Sequence, residues 1–257
     1  MTAGPGLFDL SGKRALVTGG GSGIGLGMAT GLAQHGAAVH LWGRTAQRLD
    51  DARQRLLPFG TEVSASVVDV SDEAAVTSGV DELVADGGID IAILNAGISG
   101  GRTPFLESTT DDYRRILATN LDGTYFTMRE VCRAMAASGR GGSVITVASI
   151  AAVDGAARNQ AYGATKAAVA SLTRATAVEM GRHGIRVNAV LPGWIATDMT
   201  AVSQSSQKFT DQVLSRVPIR RWGQPEDFAG IAVLLASGAS GYQTGTTVVI
   251  DGGYTIF

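Results

Sequence analysis

Cysteine is nearly missing from this chain, with a single residue, Cys132, in 257. One thiol cannot close an intrachain disulfide, so stability must come from a buried core, and nothing asks for an oxidising compartment. Cys132 lies within a helical pattern and reads as a small buried hydrophobe. Histidine is almost as scarce. His35, His40 and His183 are scattered without the paired spacing of a metal site, so no metal is expected. Net charge is only −2, and the basic pairs Lys13-Arg14, Arg114-Arg115 and Arg220-Arg221 never grow into a run, which argues against a nucleic-acid surface. No apolar stretch reaches the roughly 18 residues of a membrane span. Met1–Leu10 has neither a basic leader nor an apolar run, so the expectation is no signal peptide and a cytoplasmic location.

What the chain does have is 45% hydrophobic and 17% charged residues, enough to bury a large core in one domain over residues 1–257, with a flexible N-terminus over about residues 1–9. Short apolar, β-branched runs predict strands at Ala15–Thr18, Ala38–Trp42, Ser64–Val68, Ile89–Leu94, Val144–Ala148, Arg186–Val190 and Thr247–Ile250. Between them, helices are predicted over Ile24–Gln34, Thr45–Leu57, Asp72–Ala85, Asp111–Ala136, Tyr162–Met180 and Glu226–Ala236. Ser71 and Thr110 precede acidic residues as N-caps do, and Pro225 suits a first helical turn. Regular β-α alternation with nearly continuous apolar strands predicts an α/β fold, a doubly wound parallel sheet flanked by helices on both faces. One long stretch of irregular composition, Trp194–Arg216, is rich in Ser, Gln and Thr and reads as a substrate lid over the strand ends.

Directly after the first strand comes Thr18-Gly19-Gly20-Gly21-Ser22-Gly23-Ile24-Gly25, followed by a helix. Gly19 permits the tight turn, Gly23 admits a pyrophosphate close to the backbone, and Gly25 lets helix and strand pack. Gly21 and the amides near Ser22 and Ile24 then face the phosphates, with the helix dipole behind them. This placement predicts a dinucleotide site in a Rossmann fold. NAD sites usually carry an acid at the end of the second strand, whereas here Gly43 and Arg44 follow Trp42, which favours NADP(H) over NAD(H). Asp69, with Val70 beside it, closes the third strand and can accept from an adenine amino group. Asn95-Ala96-Gly97 closes the fourth strand and lets backbone run past the adenosine ribose.

Further along, Tyr162 and Lys166 stand four apart on one helix face. A phenol ionises near pH 10, and an adjacent ammonium should lower that value and make a usable general acid/base.

Together these residues resemble the short-chain dehydrogenase/reductase family from Leu10 to about Tyr254. Its T-G-x-x-x-G-x-G turn is matched by Thr18, Gly19, Gly23 and Gly25, its N-A-G by Asn95-Ala96-Gly97, and its Y-x-x-x-K by Tyr162 and Lys166. Asn120 and Ser149 match its other two functional positions, and Pro192-Gly193 its P-G motif, with Ile195 following and Thr197 where the family contacts the nicotinamide carboxamide. The resemblance implies an NAD(P)-dependent oxidoreductase interconverting a carbonyl and an alcohol. In that reading Tyr162 exchanges the proton, Lys166 lowers its pKa and holds the nicotinamide ribose, Ser149 orients the substrate oxygen and Asn120 supports a relay water. It also implies a homotetramer packed through the two long helices and the last strand.

The C-terminal sweep from Arg220 to Tyr254 is similar to gluconate and sugar-acid dehydrogenases, and equally to 3-oxoacyl-carrier-protein reductases and glucose dehydrogenases. Trp194 and Ile195 offer apolar wall for a small-molecule substrate, and Ser99, Arg102, Arg158 and Asn159 offer polar contacts. An arginine there would suit a carboxylate. Two other classes remain at this point: a non-catalytic dinucleotide sensor, and a coenzyme-using isomerase or lyase on the same scaffold.

Overall fold

The computed structural model describes residues 6–257. The expected flexible N-terminus falls partly outside the described residues (1–5), while Gly6–Asp9 are exposed and Leu10 is buried. Seven strands form one parallel sheet in the order β3-β2-β1-β4-β5-β6-β7. They are β1 (Arg14–Thr18), β2 (Ala38–Gly43), β3 (Val63–Val67), β4 (Ile91–Leu94), β5 (Gly142–Val147), β6 (Ile185–Pro192) and β7 (Thr247–Ile250). Each matches a predicted strand. The bounds differ: β3 ends one residue early, β4 starts at Ile91 rather than Ile89, and β6 runs on to Pro192.

The helices are α1 (Gly23–Gln34), α2 (Ala46–Leu56), α3 (Glu73–Ala85), α4 (Thr110–Leu117), α5 (Gly123–Ser138), α6 (Gln160–Met180), α7 (Ala201–Gln204), α8 (Gln207–Ser215) and α9 (Ala229–Ala236). Two caps differ from expectation. Asp72 rather than Ser71 caps α3, accepting from the amides of Ala74 and Ala75, because Ser71 is bonded back to Asp69. Thr109 rather than Thr110 caps α4, accepting from Asp112. The Glu226–Ala236 helix opens as a 3-10 turn, Pro225–Phe228.

Alternate residues of the inner strands feed two cores. Val17, Val39 and Leu41 pack on one face with Met28, Leu32 and Phe228, whereas Leu16 and Trp42 pack on the other with Val80, Val131 and Met135. This two-sided burial is what a parallel sheet covered by helices requires. α1 crosses close to the segment leading into α9, and a methyl at Gly27 would overlap the Pro225 carbonyl. The strand order reverses direction between β1 and β4, and that switch point opens a crevice at the carboxyl ends of the strands.

Candidate active site

A cleft of about 320 Å³ occupies this crevice. It is floored by the glycine turn, whose shape depends on Asn95. The Asn95 side chain donates to the carbonyls of Thr18 and Gly19, both at 3.1 Å. The Thr18 hydroxyl in turn accepts from the amides of Asn95 and Ala96, at 3.0 and 3.1 Å, which clamps the ends of β1 and β4 together. Gly19 has φ +63° and a methyl there would lie 2.8 Å from the Asn95 amide, so both conformation and space call for glycine.

Of the residues predicted to bind a dinucleotide, Gly19, Gly21, Ser22, Gly23, Ile24, Arg44, Asp69, Val70, Asn95, Ala96, Gly97, Tyr162, Lys166, Pro192, Gly193, Ile195 and Thr197 all line the cleft. Gly25 does not. It is packed under the turn, where a methyl would collide with Gly19 and Asn95, and so serves the cleft from beneath. Both Ser71 bonds fall on Asp69 Oδ1, leaving Oδ2 for a ligand. Burial raises the Asp69 pKa, but the Ser71 hydrogen bonds and the Arg44 charge outweigh it and keep the group below its ordinary value. Arg48, Thr45, Asp198 and Met199 also line the cleft and were not expected. Arg48 lies in the first turn of α2, four residues after Arg44.

Asn120 is fully buried and sits in a π-helical turn, Ala118–Asp122, between α4 and α5. The predicted single helix Asp111–Ala136 is therefore interrupted, and such turns concentrate at functional sites. The Asn120 side chain bonds the Ile98 main chain at both its ends and also donates to the Thr165 hydroxyl at 3.3 Å. It accepts from the Ile98 amide at 2.8 Å and donates to the Ile98 carbonyl at 2.9 Å. A methyl at Gly97 would stand 3.3 Å from Asn120 Oδ1 and 3.4 Å from Lys166 Nζ, so loop, amide and ammonium meet at one point.

Lys166 Nζ donates to the Val147 carbonyl at 2.8 Å and lies 5.6 Å from the Tyr162 ring centroid. The electrostatics differ from the expectation raised by spacing alone. Burial pushes the Tyr162 pKa up, with the Ser149 hydroxyl pulling it down. Burial also brings Lys166 itself down to about 8. Helical spacing does bring the two together, but the same burial weakens the ammonium that was to lower the phenol. Ser149 follows β5 and accepts from the Ala151 amide at 3.1 Å, which leaves its own O–H free to donate.

Ser149, Tyr162, Gly193, Met199 and Thr200 line both the cleft and a second cavity of about 440 Å³. Residues 194–216, expected to be irregular, are largely helical, with a 3-10 turn at Asp198–Thr200 followed by α7 and α8. They wall this cavity. Trp194 lines it, edge-on to Phe209, Trp222 and Tyr254 at 5.2, 5.9 and 6.3 Å, its indole N–H buried without a partner. Arg102 lines the cavity, stacked 4.5 Å above Phe209 and donating to Ser203 at 3.1 Å. Arg216, which sequence reasoning missed, stacks 4.1 Å over Tyr254 and bonds its hydroxyl at 2.9 Å. Arg158 is exposed and outside the lining, while Asn159 tethers the Gly100 amide at 3.1 Å. No group of three or more His, Cys, Asp or Glu able to hold a metal occurs among the described residues. None of their helices is long and apolar enough to cross a membrane.

The family model described as enoyl-(acyl carrier protein) reductase matches residues 19–255. Gluconate 5-dehydrogenase of Gluconobacter oxydans (strain 621H) is 42% identical over 253 residues, covering 98% of each chain. The 3-oxoacyl-[acyl-carrier-protein] reductase of Chlamydia pneumoniae is 40% identical over 249 residues, 96% of this chain and 99% of that one. The chain belongs to the short-chain dehydrogenase/reductase family. A solved gluconate 5-dehydrogenase from Burkholderia cenocepacia J2315, in complex with NADP and tartrate, superposes with TM-score 0.93 at 36% identity, over 98% of each chain. This short-chain dehydrogenase/reductase is accordingly an NAD(P)-dependent oxidoreductase that interconverts a carbonyl and an alcohol. The sensor and isomerase readings find no support among these relatives.

Proposed function

We propose that the chain is an NADP(H)-preferring dehydrogenase of polyhydroxy carboxylic acids, with Tyr162 as general acid/base. The observation that carries this is the shared wall: Ser149 and Tyr162 face the dinucleotide cleft on one side and an arginine-bearing cavity on the other. A carboxylate held at Arg102 makes a charge-assisted contact. The relative crystallised with NADP and tartrate, a hydroxy acid, supports both coenzyme and substrate class.

The bound nicotinamide coenzyme supplies or accepts the hydride. In reduction, the phenol that burial keeps protonated gives its proton to the carbonyl oxygen, while the Ser149 O–H donates to the same oxygen and orients it. In oxidation the same phenol must first lose its proton, and Lys166 is the neighbour able to take part, since its own pKa lies near 8. Lys166 is held by Val147 and also reaches the coenzyme cleft, where it would contact the ribose. Asn120 acts as a positioning residue through Ile98, fixing the loop that passes Lys166.

We further propose a cytoplasmic homotetramer. The exposed apolar ends Ile256 and Phe257 and the edge-strand residue Val249 support burial at a subunit contact. Light scattering should give four times the 26.4 kDa chain mass.

The functional test is an NADPH and NADH consumption screen over keto acids of sugars, neutral ketoses, acetoacetyl thioesters and simple ketones. Turnover concentrated in the sugar keto acids, faster with NADPH, is expected. Turnover concentrated in the thioesters or the neutral sugars would overturn the substrate reading.

A further inference from the structure

The loop that leaves β4 is held at every second residue by a group from elsewhere in the fold. Asn120 bonds both main-chain groups of Ile98. Asn159 Oδ1 accepts from the Gly100 amide at 3.1 Å. Arg102 donates to Ser203 at 3.1 Å and stacks over Phe209. Between the second and third holds, Gly101 and Arg102 both take positive φ, +69° and +61°. An arginine keeps that conformation only where its surroundings over-determine it. The direction in which its side chain leaves the loop therefore depends on where Gly100 is held.

Asn159 is used unusually. It stands at the N-cap of α6, where its carbonyl accepts from the Gly163 amide at 3.0 Å, yet its side chain makes no capping bond. An asparagine in that place normally accepts from an amide in the first turn of its own helix. This one forgoes that bond and reaches a separate loop instead. The fit is close: a methyl at Gly100 would stand 2.8 Å from Asn159 Oδ1 and 3.1 Å from Ile116 of α4. Tyr162 follows three residues after Asn159, so the start of one helix carries both the tether and the proton donor. Arg102, Ser149, Asn159 and Tyr162 all line the outer cavity, whereas Asn159 takes no part in lining the coenzyme cleft.

We propose that Asn159 is a positioning residue for the substrate. By tying Gly100 to the start of α6 it fixes the span between Arg102 and Tyr162, and with it which carbon of a gripped keto acid stands at the reacting position. The inference rests on the grip of Arg102 on a carboxylate proposed above, and it adds the device that sets the reach of that grip.

The test is a double-mutant cycle in kcat/KM for 5-keto-D-gluconate at saturating NADPH, over wild type, Asn159→Ser, Arg102→Ala and the double variant. Serine is a good N-cap but too short to reach Gly100, so it removes the tether and keeps the helix start. Asn159→Ser should lower kcat/KM about fivefold, the worth of one neutral hydrogen bond, and Arg102→Ala about 10- to 100-fold, that of a charge-assisted one. The double variant should match Arg102→Ala within about twofold, because a tether that acts through Arg102 has nothing left to position. A purely structural role at the start of α6 would misplace Tyr162 in either background, so losses that multiply would overturn the proposal. Fluorescence titration of NADPH into Asn159→Ser should give a Kd within about twofold of wild type; a larger change would assign the tether to the fold and overturn it as well. If Arg102→Ala is impaired and Asn159→Ser is not, this inference alone fails. A wild type inactive on this acid, or an Arg102→Ala variant with wild-type kcat/KM, would fail the substrate reading and this inference with it.

Discussion

Replacing Lys166 with methionine should remove activity and change how stability depends on pH. Methionine keeps length and flexibility and discards the charge. Burial holds the Lys166 pKa at about 8 against 10.5 for the free side chain. Between those values the unfolded chain binds a proton that the folded chain does not, so wild-type stability rises with pH across this window. Sign and size follow together. The contribution is fully present above 10.5 and lost as pH falls to about 8, and a shift of 2.5 units corresponds to about 3 kcal/mol. Lys166→Met has no such group, so the stability difference between the two proteins should change by about 3 kcal/mol between pH 8 and pH 10.5. Losing the bond to the Val147 carbonyl costs about 1–3 kcal/mol in the variant, but that cost does not depend on pH and drops out of the slope. Urea denaturation of both coenzyme-free proteins at equal protomer concentration, from pH 7 to pH 10, measures it. A difference that stays flat over that range would refute the assignment of a desolvated lysine beneath the tyrosine.

Tyr162→Phe should leave the coenzyme Kd within about twofold and cut turnover by about 10²- to 10⁴-fold, the usual worth of a positioned acid/base; near-normal turnover would sink the proton-transfer role. Gly27→Ala should destabilise by about 2 kcal/mol or more, because the added methyl meets the Pro225 backbone rather than a side chain that can move; an unchanged thermal midpoint would show that α1 and the Pro225 turn separate easily. His40 accepts or donates to Ser64 at 2.7 Å and Ser66 at 3.0 Å, and burial lowers its pKa below 6.5. Its contribution is present above pH 6.5 and lost as pH falls through the lower folded value, so His40→Gln should flatten the acid side of the stability profile.

Most of the fold was readable because strand and helix periods are written in burial. Leu16 and Val17, or Leu41 and Trp42, go to opposite cores, and no helical pattern does that. The dinucleotide cleft was readable for a related reason, since glycines at a strand–helix junction have few other uses. The π-turn at Asn120 was not, because one extra residue in a long helix leaves no compositional mark. Asn120 itself was found by family position, but its commitment to Ile98 depends on a loop whose path only the folded chain defines. The cavity arginines split similarly. Arg102 and Arg158 look alike in sequence, yet only Arg102 reaches the cavity. Arg216 joined them through the C-terminal Tyr254, a neighbour 38 residues away in sequence.

The common wall between the two cavities has a consequence for inheritance. Only Ser149, Tyr162, Gly193, Met199 and Thr200 belong to both, so the outer chamber can be rebuilt around them while the inner one is passed on intact. Two relatives of nearly equal identity, named for a sugar acid and for an acyl thioester, are what such a partition would leave behind. Lineages on this scaffold can then change what they oxidise or reduce while keeping one carrier of electrons.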